Sequence, residues 1–279
     1  MGYPLRDLSM CKSNMIIELF LPASNVMIHI HENIYGHKNR VDWFTKFITR
    51  HDRILEFGCG TGVMVSAYLL QKDFDIQGID LDLPSIEYGR KHFLEHNLNP
   101  ALLIHGDIAE LDDESFDVIL ATEVFEHIEE EDIDQVMDLI SSKLRPGGKL
   151  IVTVPNGYGW FELESFIWNK LKIGFILDKL YITKLVYAFK ERILKMKFNK
   201  LTSTVAHSPH VRRFTLKSIR ALVEKHGYEI EAQRGSVIFA GSFSGLLFGG
   251  IKPLQNFNMA LGKRFPSLSS GFYLCSSKG

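Results

Sequence analysis

From about residue 53 the chain alternates between apolar runs and segments with helical spacing. "RILEF" (53–57) is a short apolar run ending on a glycine cluster, and it predicts a buried strand. "GVMVSAYLLQK" (62–72) follows with helical periodicity. "DIQGI" (75–79) predicts a second strand. "PSIEYGRKHFLEHN" (84–97) predicts a second helix, with Pro84 suited to a first helical turn. "ALLIH" (101–105) and "FDVILA" (116–121) predict further buried strands. In "DIDQVMDLISSKL" (132–144), Val136, Leu139, Ile140 and Leu144 share one helical face. "PGG" (146–148) is expected to stop that helix, and "KLIVTVP" (149–155) to form the next strand. This alternation predicts a parallel sheet with helices on both faces. Ligands of such sheets bind outside the carboxyl ends of the strands.

The pattern resumes at "TLKSIRALVEKHG" (215–227), a helix stopped by Gly227. Strands are expected at 228–240, with a bend at Gly235, and at 270–278. Residues 38–50 read as a helix packed ahead of the first strand; residues 1–37 receive no assignment. Two segments stand outside the alternation, 157–206 and 241–269. Within the first, Leu163, Phe166, Ile167, Leu171 and Phe175 form one apolar stripe. Tyr181, Leu185, Phe189, Ile193 and Met196 form another, and lysines with Arg192 fill much of the remainder. The bland expectation is a pair of core-packed helices with solvated lysines. The alternative is a lid over an acceptor pocket that also docks on an anionic membrane through 160–200. Gly241, Gly245 and Gly249 are spaced for close helix contact.

Composition narrows the classes. A formal net charge of −1 argues against a dedicated nucleic-acid binder, and no DNA partner is expected. The three cysteines, Cys11, Cys59 and Cys275, are too scattered for a disulfide framework or a zinc site. A reducing, cytoplasmic compartment is expected. No signal peptide is expected, because Glu18 interrupts the apolar run near the start and no basic cluster precedes it. The longest uncharged run, 235–251, only reaches the lower limit of a membrane span.

"ILEFGCGTGV" (54–63) carries the first chemistry: a strand, then Gly58-x-Gly60-x-Gly62, then a helix. Such glycines let the chain turn sharply and let a ligand lie against main-chain N–H groups. A dinucleotide fingerprint would place its third glycine where Val63 stands. Glu56 would repel a pyrophosphate but suits a cationic amino group. Both points lead away from NAD and toward S-adenosylmethionine. Asp80, about 20 residues beyond Gly58, stands where a carboxylate can accept both ribose hydroxyls. Asp107 in "HGDI" can accept from an adenine amino group.

With "EFGCGTG", "GIDLD", "GDI", "FDVILATEVFEHI" and "LRPGGKLIVTVPN" in this order, the sequence resembles the class I S-adenosylmethionine-dependent methyltransferases. The resemblance covers roughly 40–156 and returns at 207–227. It implies a Rossmann-like α/β fold of seven mostly parallel strands, the last antiparallel. It implies Gly58, Gly60 and the Cys59 backbone around the methionine portion, and Glu56 near the amino group. It implies Asp80 on the ribose, Leu81 and Ile108 against the adenine, and Asp107 on its N6.

"ATEVFEHIEEED" (121–132) follows the fourth strand, where the methyl would project. Glu123 would touch the cofactor edge. His127, with Glu126, would be a general base for a hydroxyl acceptor. Alternatively Glu123, Glu126 and His127 bind a divalent cation, with His207 or His210 contributing. That E-x-x-E-H pattern resembles the ubiquinone-biosynthesis O-methyltransferases and the small-RNA 2′-O-methyltransferases. The plain alternative is an acidic helix start matched to the dipole, which accounts for Glu129 to Asp132. Asn156, His210 and Arg213 are the candidate acceptor contacts.

The resulting expectation is a single methyltransferase domain over 1–279, with its core at about 38–156 and 207–279. Insertions occupy 157–206, a helical lid, and 241–269. The expected reaction is methylation of a hydroxyl on a small or lipid-linked acceptor. A metal-dependent RNA 2′-O-methyltransferase and a non-catalytic S-adenosylmethionine-binding scaffold are the alternatives.

Overall fold

The computed structural model describes residues 28, 33, 35–193, 202–205 and 209–279. Seven strands form one sheet in the order β3-β2-β1-β4-β5-β7-β6. They are β1 (Arg53–Phe57), β2 (Asp75–Asp80), β3 (Leu103–His105), β4 (Phe116–Thr122), β5 (Leu144–Pro155), β6 (Tyr228–Gly235) and β7 (Gly271–Lys278). The first five pair in parallel; β7 lies between β5 and β6 and runs antiparallel to both.

Alternation along the central strands splits the core in two. Leu55, Ile119, Leu150 and Val152 face α4 (Ile133–Lys143) and α8 (Leu216–Lys225), through Met137, Ile140, Ile219 and Val223. Ile54, Val118, Leu120 and Ile151 face α1 (His37–Phe44) and α2 (Ser66–Leu70), through Val41, Phe44 and Leu69. Burial on both faces is why these strands read as unbroken apolar runs. α3 (Leu83–Glu95) has Pro84 in its first turn and Asp82 as its cap, accepting from the Ser85 N–H at 3.1 Å.

Several boundaries differ from the sequence reading. The helix expected over 62–72 is confined to Ser66–Leu70, because Gly62 is still in the left-handed region at φ +65°. "ALLIH" opens with a 3-10 turn, Pro100–Leu102, capped by Asn99. α4 ends at Lys143, ahead of "PGG", and Leu144 is already extended. β5 therefore runs through "PGG", with a register shift opposite Phe116 and Val118. The strand expected to reach 240 stops at Gly235, where a Cβ would stand 2.4 Å from the Gly262 carbonyl oxygen.

Among its described residues, the segment after β5 forms three helices rather than two: α5 (Trp160–Lys170), α6 (Ile173–Lys179) and α7 (Ile182–Ile193). Left-handed residues break it at Lys172 (φ +51°) and Tyr181 (φ +58°). Its apolar stripes are not packed on the core but exposed, Phe166, Phe175, Leu185 and Phe189 among them. Met196 and His207 lie outside the described residues. Residues 241–269 form α9 (Ser242–Phe248) and α10 (Lys252–Arg264), followed by a 3-10 turn. No helix among the described residues is long and apolar enough to cross a membrane.

Candidate active site

The loop after β1 is a chain of forced close approaches. Gly58, Gly60 and Gly62 have φ of +66°, +56° and +65°. A Cβ on Gly58 would stand 2.3 Å from Val124 Cγ2, and one on Gly62 2.4 Å from Leu103 Cδ2. The Gly58 and Cys59 N–H groups donate to the Ile79 carbonyl, at 3.0 and 3.1 Å. The Cys59 carbonyl accepts from Gly62 N–H, so both backbone groups of Cys59 are used within the protein. Its thiol is buried, and burial with the neighbouring Glu56 and Asp80 pushes it up.

Asp80 pins the loop to the end of β2. Its Oδ2 accepts from Gly60 N–H at 2.6 Å and its Oδ1 from Asp82 N–H at 2.8 Å. Each carboxylate oxygen retains a lone pair for a hydroxyl. Leu81, beside it, is 71% exposed, an open apolar face of the kind a base can cover. Asp107 is exposed at the end of β3, and its Oδ1 accepts from Ala109 N–H. Ile108, by contrast, is packed into the main core, so of the two residues expected against adenine only Leu81 offers a free face. The ends of β1, β2 and β3 thus fit a nucleoside: a glycine turn, a hydroxyl acceptor, an apolar face and a second acceptor in succession.

Glu56 lies inside the strand and is buried; its Oε2 accepts from the N–H and hydroxyl of Ser66 on α2. Burial lifts its carboxyl to about 7, against the pull of Ser66 and Arg40. Neither Ser66 nor Arg40 stands in a motif.

Residues 202–205 lie across the glycine loop. Ser203 O accepts from Thr61 N–H at 3.0 Å, and Thr202 O from the Thr61 hydroxyl at 2.7 Å. Val205 N–H donates to Ser85 Oγ at 2.8 Å. Ser203 O would meet a Cβ on Gly60 at 2.3 Å, so this glycine is needed by the protein's own backbone.

Past β4 the chain turns sharply at Glu123, a non-glycine residue at φ +57°. Its N–H donates to Thr153 O at 2.8 Å, and its Oε1 accepts from Thr153 Oγ1 at 2.9 Å. Arg40 Nη1, reaching in from α1, lies 3.0 Å from the same oxygen. Arg40 Nη2 also meets His37 Nδ1 at 3.0 Å, and burial with that guanidinium lowers His37 to about 3. The Arg40 pair and the Thr153 bond hold Glu123 apart from the cluster it was expected to join.

That cluster is formed instead by Glu126, His127 and His210. Glu126 and His127 lie in a 3-10 turn, Phe125–His127, rather than in a helix start. Each residue offers one ligand atom, and these atoms lie within 4.8 Å of one another. Both His127 Nε2 and His210 Nε2 are 4.0 Å from Glu126 Oε1. Glu126 is 1% exposed, and its Oε2 has no hydrogen-bond partner among the described residues. Burial and the nearby Glu123 raise its carboxyl well above the ordinary range. The turn is tied to the returning chain through Glu126 O, which accepts from Val211 and Arg212 N–H at 2.9 and 3.1 Å. His127 Nδ1 lies 3.1 Å from Pro209 O. A carbonyl only accepts, so Nδ1 carries the proton and Nε2 is the basic nitrogen. Burial and His127 lower His210.

The other two candidate acceptor contacts fall elsewhere. Asn156 is buried; its Nδ2 donates to Ser267 O and Ser269 O, and its Oδ1 accepts from Tyr158 N–H. It clips the end of β5 to the chain before β7, and its amide is consumed in doing so. Arg213 is exposed and lies against Gly157.

Residues 31–233 match the model of the methyltransferase domain family. A ribosomal protein L11 methyltransferase of Laribacter hongkongensis is 24% identical over 140 residues, covering 47% of this chain and 45% of its own length. A ubiquinone biosynthesis O-methyltransferase of Chelativorans sp. is 33% identical over 105 residues, 37% of this chain and 40% of its own. The chain thus spans less than half the length of these curated relatives. A solved S-adenosylmethionine-dependent methyltransferase of Methanosarcina mazei shares the fold, with TM-score 0.51 at 18% identity over 85% of this chain and 96% of that one. With its glycine turn, its strand-end carboxylates and its sheet order, the chain belongs to the methyltransferase domain family, as a class I S-adenosylmethionine-dependent methyltransferase.

Proposed function

We propose that the protein methylates a hydroxyl oxygen of a small or lipid-linked acceptor, with His127 as general base. The observation that carries this reading is the bond between His127 Nδ1 and Pro209 O, which places the proton on Nδ1 and sets the ring beside Glu126. S-adenosylmethionine supplies a methyl group on a sulfonium whose departure as a neutral thioether needs no acid. The protein's part is to align the acceptor, exclude water and remove a proton. Asp80 and Asp107 hold the nucleoside, Leu81 covers its base, and Glu56 faces the amino group. His127 takes the acceptor's proton at Nε2. Incubating a metabolite and lipid extract with labelled cofactor tests the reading. Label on an oxygen supports it; label only on nitrogen, carbon or protein overturns it.

A second reading is favoured by Glu126 Oε2, buried without a hydrogen-bond partner among the described residues. A divalent cation held by Glu126, His127 and His210 would displace the carboxyl proton and bind the acceptor oxygen. Activity unchanged by EDTA, with no metal co-purifying, removes it. The net charge of −1 weighs against RNA as the acceptor. We place the enzyme in a reducing cytoplasm, in keeping with the buried free thiols of Cys59 and Cys275.

A further inference from the structure

The helices after β5 bury several polar side chains while leaving large apolar ones exposed. On α7, Thr183 and Lys190 are buried. Ile182, Leu185 and Phe189, at i, i+3 and i+7 on one face, are 39%, 67% and 58% exposed. On α5, Glu164 is buried and Phe166 is exposed.

The buried groups are all occupied. Glu164 Oε2 accepts from Ser244 N–H in the first turn of α9 at 2.9 Å, and its Oε1 from Ser244 Oγ and Trp160 Nε1. Lys190 Nζ donates to Gly245 O and Gly249 O, at 3.0 and 2.8 Å, at the other end of α9. An anion stands at the amino end of α9 and a cation at its carboxyl end, each matching the helix dipole. Thr183 Oγ1 donates to Asp178. These bonds fix which face of α5 and α7 turns inward, and they leave the apolar face outward by construction. In water alone that arrangement forfeits the burial of several large side chains. So many large exposed apolar side chains on three successive helices mark an interaction site.

We propose that the outer face of α5–α7 docks on an anionic membrane surface. Charge selects that occupant over a second copy of this chain. Lys170, Lys172, Lys179 and Lys184 are exposed on the same helices, against Asp178 and Glu191 as the exposed acids of 160–193. A two-fold contact would bring these lysines together, whereas anionic headgroups neutralise them. The helices lie in the interface and do not cross it. α5 and α7 have 11 and 12 residues, hence lengths of about 17–18 Å, against a hydrocarbon core of about 30 Å. The face is also next to the chemistry: α5 begins just past Gly157, whose N–H donates to Phe214 O, in the returning segment in which Val211 and Arg212 donate to Glu126 O. Docking would therefore present the site to an acceptor held in the bilayer. That consequence rests on the function proposed above; the docking does not.

Vesicle flotation of the full chain tests the docking. We expect it to float with phosphatidylglycerol-containing vesicles and not with pure phosphatidylcholine. Leu185→Glu with Phe189→Glu should reduce the bound fraction at least tenfold while leaving thermal unfolding and calorimetric cofactor binding unchanged. Failure to float with anionic vesicles, or flotation undiminished in the double variant, overturns the proposal. So does a micromolar dimer in sedimentation that the double variant dissociates. Failure of the methyl-transfer reading would register separately, as absence of calorimetric S-adenosylmethionine binding.

Discussion

Glu56 holds its proton in the folded chain up to about pH 7, whereas an ordinary glutamate releases it near 4.5. Between those values the folded state binds the extra proton, so stability falls as pH rises, by about 3 kcal/mol across the window, and then levels off. Glu126 acts in the same direction, whereas His37, lowered to about 3 against an ordinary 6.5, opposes it by making stability rise with pH below about 6.5. The difference in urea midpoint between Glu56→Gln and the parent isolates the Glu56 part: it should grow in the variant's favour from pH 5 to 8, leaving the variant the more stable at pH 8. Parallel curves would show that the burial penalty is absent. His127 makes a kinetic counterpart. His127→Ala should lower kcat by about 10²–10⁴ with the fold unchanged in circular dichroism; full activity would dispose of the proton-transfer role.

The glycine loop and the turn after β4 form one packed unit, because the face of Gly58 lies against Val124. Gly58→Ala adds a methyl into Val124 and a Cβ at φ +66°. It should cost about 1–3 kcal/mol of stability. By displacing the turn that carries Glu126 and His127 it should also depress kcat, not only cofactor affinity. A variant impaired solely in cofactor affinity would show that the two elements move independently. The strands were legible because burial on both faces writes them as apolar runs, and the place of Asp80 at the end of β2 because it closes the second of those runs. Arg40 was not legible: the helix carrying it was anticipated, but only packing decides that this arginine turns onto Glu123. Asn156 looked free to meet an acceptor because its partners, Ser267 and Ser269, come from a distant segment. The breaks at Lys172 and Tyr181 lie in left-handed backbone at residues that announce no turn.

At the scale of the whole molecule, the cofactor is expected to act as part of the structure. Held as proposed it would bridge the ends of β1, β2 and β3, so binding should stabilise the fold by about 2.7 kcal/mol at a hundredfold excess over Kd. A thermal melt unmoved by saturating S-adenosylmethionine would contradict that bridging. The sheet carries a further consequence in its strand order. β7 follows the other six strands along the chain, yet it sits between β5 and β6 and is the neighbour through which β6 joins the sheet. During synthesis β6 therefore emerges before the strand it pairs with, and β5 waits with one edge open. Both edges are templates for pairing with other chains until residues 271–278 leave the ribosome. The time between translating Tyr228 and translating Lys278 is thus an interval of vulnerability to aggregation, written into the order in which the strands are made.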